Sequence, residues 1–185
     1  MENQVLNAIY NRRSTRGFED TPLTQEQLDT LMKVATSSPT ALNQQSWHFT
    51  FCSDKSAISA VEKEVGDLIM ASSDDAAKER MKSRNMKVFY NAPTVVFISS
   101  DAQSYWGKLD AGIAVENLAL AAYSMGLGSV IIGMCKMAFE GPNGAEFDKL
   151  LGFPETHKFS IALAVGVPTV GKEAPEVGEN KITVM

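Results

Sequence analysis

Histidine and cysteine are scarce in this chain, with two of each among 185 residues. His48 and His157 lie far apart in sequence and belong to no metal-ligand spacing, so both read as ordinary, partly exposed histidines. No serine or cysteine stands in a nucleophile–histidine–acid pattern, which argues against acyl-transfer chemistry. Cys52 and Cys135 form neither a disulfide framework nor a zinc cluster. Positive charge is also short. The net charge is -5 and the pI about 5.1, which argues against nucleic acid or an anionic membrane as partner, because both are bound through clustered cations. The longest apolar stretch, Gly112 to Met134, is broken by Glu116 and Asn117 and fails as a membrane span. The first ten residues lack the basic and apolar regions of a secretory leader, and a soluble cytoplasmic protein is expected. The Rossmann fingerprint and the P-loop are missing. "GLGSVIIG" has glycines but follows a helix and enters a strand, the reverse of a dinucleotide-binding turn.

What remains is 44% hydrophobic and long enough for a single domain over 1–185 with its own core. Val5, Leu6, Ile9 and Tyr10 recur at helical spacing. Thr24 and Gln27 form a capping box, and Leu28, Leu31, Met32 and Ala35 then share one helical face. Residues 37–46 read as a polar loop, 47–52 as a strand, 54–70 as a helix and 74–90 as a charged helix. Residues 93–99, "PTVVFIS", read as a buried central strand. Residues 105–125 predict a long helix that is apolar nearly all round and must be covered on all sides, inside the fold or at a dimer interface. Tyr105 and Trp106 suit either the wall of a substrate slot or packing at the start of this helix, and packing is the favoured reading. Strands follow at 129–134 and 159–168, with a helix around Phe147, Leu150 and Leu151 between them and His157 in a loop before the second. The tail, 169–185, is polar and ends in "KITVM", which suits a strand added to a neighbouring subunit. Helices and strands alternate without a regular βαβ beat, which favours an α+β or three-layer arrangement over a doubly wound one.

With little acid–base or nucleophile machinery, an enzyme of this sequence would leave the hard chemistry to a cofactor. The local exception to the acidic balance is "RRSTRGF". Arg12, Arg13 and Arg16 offer guanidinium forks, and Ser14 and Thr15 offer hydroxyls, a set suited to a phosphate. The same arginines equally suit cations that complement a helix C-terminus.

"AIYNRRSTRGFEDTPLTQEQLDTLMKVATSSPTALNQQSWHF" resembles the N-terminal signature of the nitroreductase family of flavoproteins, with its R-x-S-x-R/K cluster and later S-P-S/T-x-x-N-x-Q-x-W. "DAGIAVENLALAAYSMGLGSVIIG" and "ALAVGVP" are similar to that family's central helix, glycine turn and last core strand. The resemblance implies a three-layer α+β fold with a mixed, mainly antiparallel sheet flanked by helices. It also implies a homodimer with two FMN sites at the subunit interface. NAD(P)H would reduce nitroaromatics, quinones or related small acceptors by a ping-pong cycle through the flavin N5, with no catalytic side chain of its own and no metal. By position, Arg12, Arg13, Ser14 and Arg16 would bind FMN, Arg12 at the phosphate and Arg16 at the pyrimidine edge. Pro39, Thr40, Ala41 and Asn43 would come from the partner subunit, with Gln45 holding their loop. Ile132 and Gly133 would present backbone amides near N5 and O4, and Asn85 would contact the ring. Ser46 replaces a common family proline, and the tail lacks the usual basic pair, leaving Lys172 as the nearest final phosphate ligand. A flavin-binding sensor, a flavin-degrading or dehalogenating relative, and a site for a different anion are the rival readings.

Overall fold

The computed structural model describes residues 3–174 and 176–185. Four strands, β1 (Trp47–Cys52), β2 (Thr94–Asp101), β3 (Gly128–Ile132) and β4 (His157–Gly166), form one sheet in the order β1-β2-β4-β3. Every pairing between them is antiparallel. A parallel element enters only at an isolated bridge, Ser14 to Ser129. β2 is buried along nearly its whole length, as its unbroken β-branched run requires of a central strand.

The strand alternation assigns the two faces. Val96, Ile98, Leu163 and Val165 point to one core with α2 (Gln25–Thr36) and α5 (Gly107–Ser124). Val95, Phe97, Ala162 and Ala164 point to the other, with α3 (Lys55–Ala71), α4 (Asp75–Lys82), α6 (Lys136–Glu140) and α7 (Gly144–Leu150). The result is the expected three-layer arrangement. The capping box forms as read, with Thr24 Oγ1 accepting from Gln27 N–H and the Gln27 side chain accepting from Thr24 N–H. Burial raises both free thiols, Cys52 and Cys135, above the usual cysteine range.

Several local readings change. The charged helix stops at Lys82 instead of reaching residue 90. Beyond it Asn85, Met86, Tyr90 and Asn91 take positive φ, and the Glu62 carboxylate captures the N–H groups of Val88 and Phe89 that a helix would have used internally. The chain from 136 to 140 is helical, an element the sequence pattern did not flag. His157 begins β4 rather than lying in a loop. Within one chain the long helix leaves Leu109 and Ile113 exposed, so of the two readings it is not fully covered inside its own fold. Tyr105, 85% exposed, does not pack into the core; its ring meets that of the half-exposed Trp106 edge-on at 4.7 Å. The described tail residues beyond Val170 carry no strand.

His157 Nδ1 lies 3.2 Å from Ser99 Oγ. Burial, helped by nearby His48 and opposed by Asp101, holds its pKa below the ordinary value of 6.5. The folded chain therefore binds fewer protons here than the unfolded chain, and this part of its stability is lost as pH falls below about 6.5. Thermal melts between pH 7 and pH 5 should show a shallower decline for His157→Gln than for wild type; parallel declines would refute the assignment.

Candidate active site

α1 (Gln4–Asn11) ends where Arg12 turns extended, at φ -57 and ψ 131. The chain then lies along β3. Thr15 N–H donates to Ser129 O at 2.9 Å, and further on Glu19 N–H donates to Val167 O and Thr169 N–H to Gly17 O. Gly128 permits this close approach: a Cβ there would stand 2.6 Å from Thr15 Oγ1 and 2.9 Å from Pro168 Cβ. Thr15 is thus buried as a packing group, while Ser14 pairs with Ser129.

Two recesses follow one another along these paired segments. The larger, about 700 Å³, brings together Arg12, Arg13 and Lys172. Arg12 Nε lies 3.3 Å from Glu116 Oε1, yet it is buried and has no hydrogen bond of acceptable geometry. The contact is better described as an ion pair that orients the guanidinium than as a satisfied donor. Arg13 Nη1 is committed to Arg12 O at 2.7 Å. The smaller recess, about 180 Å³, is lined by Arg16, Ile132 and Gly133, and also by Arg84, Tyr90 and Met134.

The loop holding Pro39, Thr40, Ala41, Asn43 and Gln45 borders neither recess within one chain. It is nevertheless tightly held. Ala41 N–H donates to Asp110 Oδ1 at 3.1 Å, Gln45 N–H to Thr40 Oγ1 at 3.0 Å, and Gln45 Nε2 to Asn43 Oδ1 at 3.0 Å. Asn117 Nδ2 donates to Ser38 Oγ. Asp110 and Asn117 are seven positions apart, so one face of α5 fixes the whole loop. Leu42, Asn43 and Gln45 all adopt left-handed φ, a conformation that costs non-glycine residues energy and gathers at functional loops. Leu42 is 88% exposed, so the strain serves no internal packing. Asn85 lines a separate recess with Glu62, Lys63 and Met86, whereas its neighbour Arg84 stands beside Arg16.

Glu116, Asp110 and Arg84 were missed in the sequence. The first two left a signal, polar residues on an otherwise apolar helix. Arg84 left none, since only the folded turn after α4 carries it to the end of β3.

The fold is a three-layer α+β scaffold that gathers cations along one edge of its sheet. The profile described as "Nitroreductase family" matches residues 9–167, and the chain belongs to that family. It superposes on the crystal structure of a nitroreductase with bound FMN from Desulfitobacterium hafniense with TM-score 0.95 and 29% identity, covering 100% of both chains. It is 28% identical over 180 residues to an NAD(P)H FMN reductase of Bacillus subtilis, covering 90% of this chain and 66% of that protein. It is 26% identical over 180 residues to an iodotyrosine deiodinase of Thermotoga neapolitana, covering 94% of this chain and 92% of that one.

Proposed function

We propose that this chain is an FMN-dependent oxidoreductase that passes hydride from NAD(P)H to nitroaromatic, quinone or similar small acceptors in a ping-pong cycle. It would work as a homodimer with the flavin at the subunit interface. The observation that carries the reading is the convergence of Arg12, Arg13 and Lys172 on one large recess, continued along β3 by a recess with Arg16, Ile132 and Gly133.

The donor set fits a flavin mononucleotide. The buried Arg12 Nε lacks a hydrogen-bond acceptor, which a phosphate oxygen would supply. Lys172 completes the phosphate side as a point charge. Ser14, bridged to Ser129, would offer a hydroxyl. Arg16, exposed and without a carboxylate partner among the described residues, serves the pyrimidine edge. A fixed guanidinium there favours negative charge on the ring. Backbone N–H groups at Ile132 and Gly133 would meet the edge that carries N5 and O4, whereas Asn85, which lines a separate recess, would reach the ring only from outside this one. When bound, FMN supplies a ring that takes up hydride and hands it on.

The loop of Pro39, Thr40, Ala41 and Asn43, with Gln45 bracing it, is proposed to line the partner's flavin. Its strain, its anchoring to Asp110 and its exposed Leu42 all support a role outside its own chain. Exposed Val5, Ile9, Tyr10, Leu109 and Ile113 offer the apolar surface for dimerisation. Val177, Ile182 and Val184 in the tail offer more, and 169–185 is proposed to reach the partner.

Purified protein should show a flavin absorption spectrum with about one FMN per chain and should oxidise NADH or NADPH with a quinone present. Protein that stays colourless after incubation with FMN would end this reading. Flavin without turnover would make the chain a sensor. The deiodinase relative favours one second reading, reductive dehalogenation on the same scaffold. Halide release from halogenated phenols would identify it.

A further inference from the structure

The small recess holds one more guanidinium than the proposed flavin site uses. Among the described residues, the arginine ion pairs are Arg12 with Glu116 and Arg80 with Asp74. Among the described residues Arg84 has no carboxylate partner, although the net charge of the chain is -5. Its Nη1 donates to Met134 Sδ at 3.3 Å, and its guanidinium carbon lies 5.6 Å from the centre of the Tyr90 ring. A thioether is a weak acceptor and an aromatic face accepts no full hydrogen bond, so most of the five N–H donors remain unused. Val88, Val130 and Ile132 line the same recess and reduce its hydration. A part-buried cation held only by neutral groups is a strong attractor for an anion.

Its position is fixed by the fold. Lys87 N–H donates to Arg84 O, Asn85 and Met86 turn through positive φ, and Glu62 clamps the N–H groups of Val88 and Phe89. Met134, its contact, directly follows Gly133, the residue assigned above to the N5 edge of the flavin. Arg16 serves the pyrimidine edge. Arg84 therefore lines the same recess as the residues that would hold the N5 edge of the flavin, where an acceptor would come close to it.

We propose that Arg84 is a specificity-determining residue that selects electron acceptors bearing a carboxylate or a comparable anionic group. The inference rests on the flavin-enzyme reading above. In the net reaction with such a nitroaromatic, NAD(P)H supplies two electrons as hydride. With one proton from solvent, the nitro group becomes nitroso and releases one water, NAD(P)+ is formed, and the carboxylate is unchanged.

The test uses flavin-loaded wild type, Arg84→Met and Arg84→Lys. Benzoate and its neutral isostere benzamide are titrated calorimetrically, and kcat/KM is compared for 4-nitrobenzoate and its methyl ester. Benzoate should bind wild type at least tenfold tighter than benzamide. Arg84→Met should weaken benzoate by roughly tenfold to a hundredfold, the usual range for a charge-assisted contact, and lower the kcat/KM ratio of acid to ester similarly. Arg84→Lys should recover part of the loss, since it restores charge without the planar fork. Equal affinities for the two probes in wild type, or equal losses in the methionine variant, would overturn the proposal. So would an altered flavin midpoint potential in Arg84→Met with benzoate affinity intact, which would assign Arg84 to the flavin. A wild type without flavin in its absorption spectrum would bring down the enzyme reading and this inference together. Failed discrimination in flavin-loaded protein would bring down this inference alone.

Discussion

Arg12→Ala should weaken FMN binding by about 1.5–3 kcal/mol, roughly tenfold to 150-fold in Kd, the range for hydrogen bonds to a charged group. The proposed phosphate site has three cations in its recess, but they are not equivalent. Arg12 carries a buried Nε without a hydrogen-bond acceptor and is oriented by Glu116. Arg13 already spends Nη1 on the Arg12 carbonyl, and Lys172 is an exposed residue of the tail. Arg13→Ala should therefore cost clearly less than Arg12→Ala. Quenching of free FMN fluorescence on titration with each apoprotein measures the ranking. Equal losses, or no loss from Arg12→Ala, would remove Arg12 from the phosphate site. Folding should be little affected, because the pair that is lost has a half-exposed Glu116, and such pairs contribute at most about 1 kcal/mol.

Glu62→Ala should destabilise the fold by roughly 2–5 kcal/mol, since two buried backbone donors lose their acceptor together. Glu62 Oε1 accepts from Val88 N–H at 2.6 Å and from Phe89 N–H at 2.9 Å, and Oε2 meets Lys87 Nζ at 3.2 Å. Val88 and Phe89 are fully buried, so water does not replace the carboxylate without opening the core. Glu62→Gln keeps an oxygen for both donors but loses their charge assistance and turns an amide donor toward the half-exposed Lys87, so it should cost about 1–2 kcal/mol, less than Glu62→Ala. Urea unfolding of the two variants separates these cases. Equal midpoints would show that the carboxylate clamp is not what holds residues 84–92. The same clamp sets the turn that carries Arg84 and Asn85, so Glu62→Ala should also loosen the recess beside Gly133.

Much of this layout is legible in the linear chain because it depends on local patterns. The capping box at Thr24, the buried run of β2 and the long helix all follow from propensity and period. The arginine cluster could be read because its members are neighbours in sequence, and an acidic background made it stand out. The readings that changed depend on contacts between distant segments. Residues 83–90 carry helix-compatible composition, yet Glu62 takes their N–H groups and the helix ends at Lys82.

Amino-acid order alone determined most of the elements and the anion-suited character of Arg12 to Arg16, since each rests on residues a few positions apart. Lys172 joined Arg12 and Arg13 through the pairing of the chain after β4 with the segment after Arg16. Asp110 reached the Ala41 amide across sixty-nine positions. Arg84 was left facing Met134 with no carboxylate partner among the described residues. No local propensity encodes these contacts, because the free energy that selects them comes from burying two cores against one sheet.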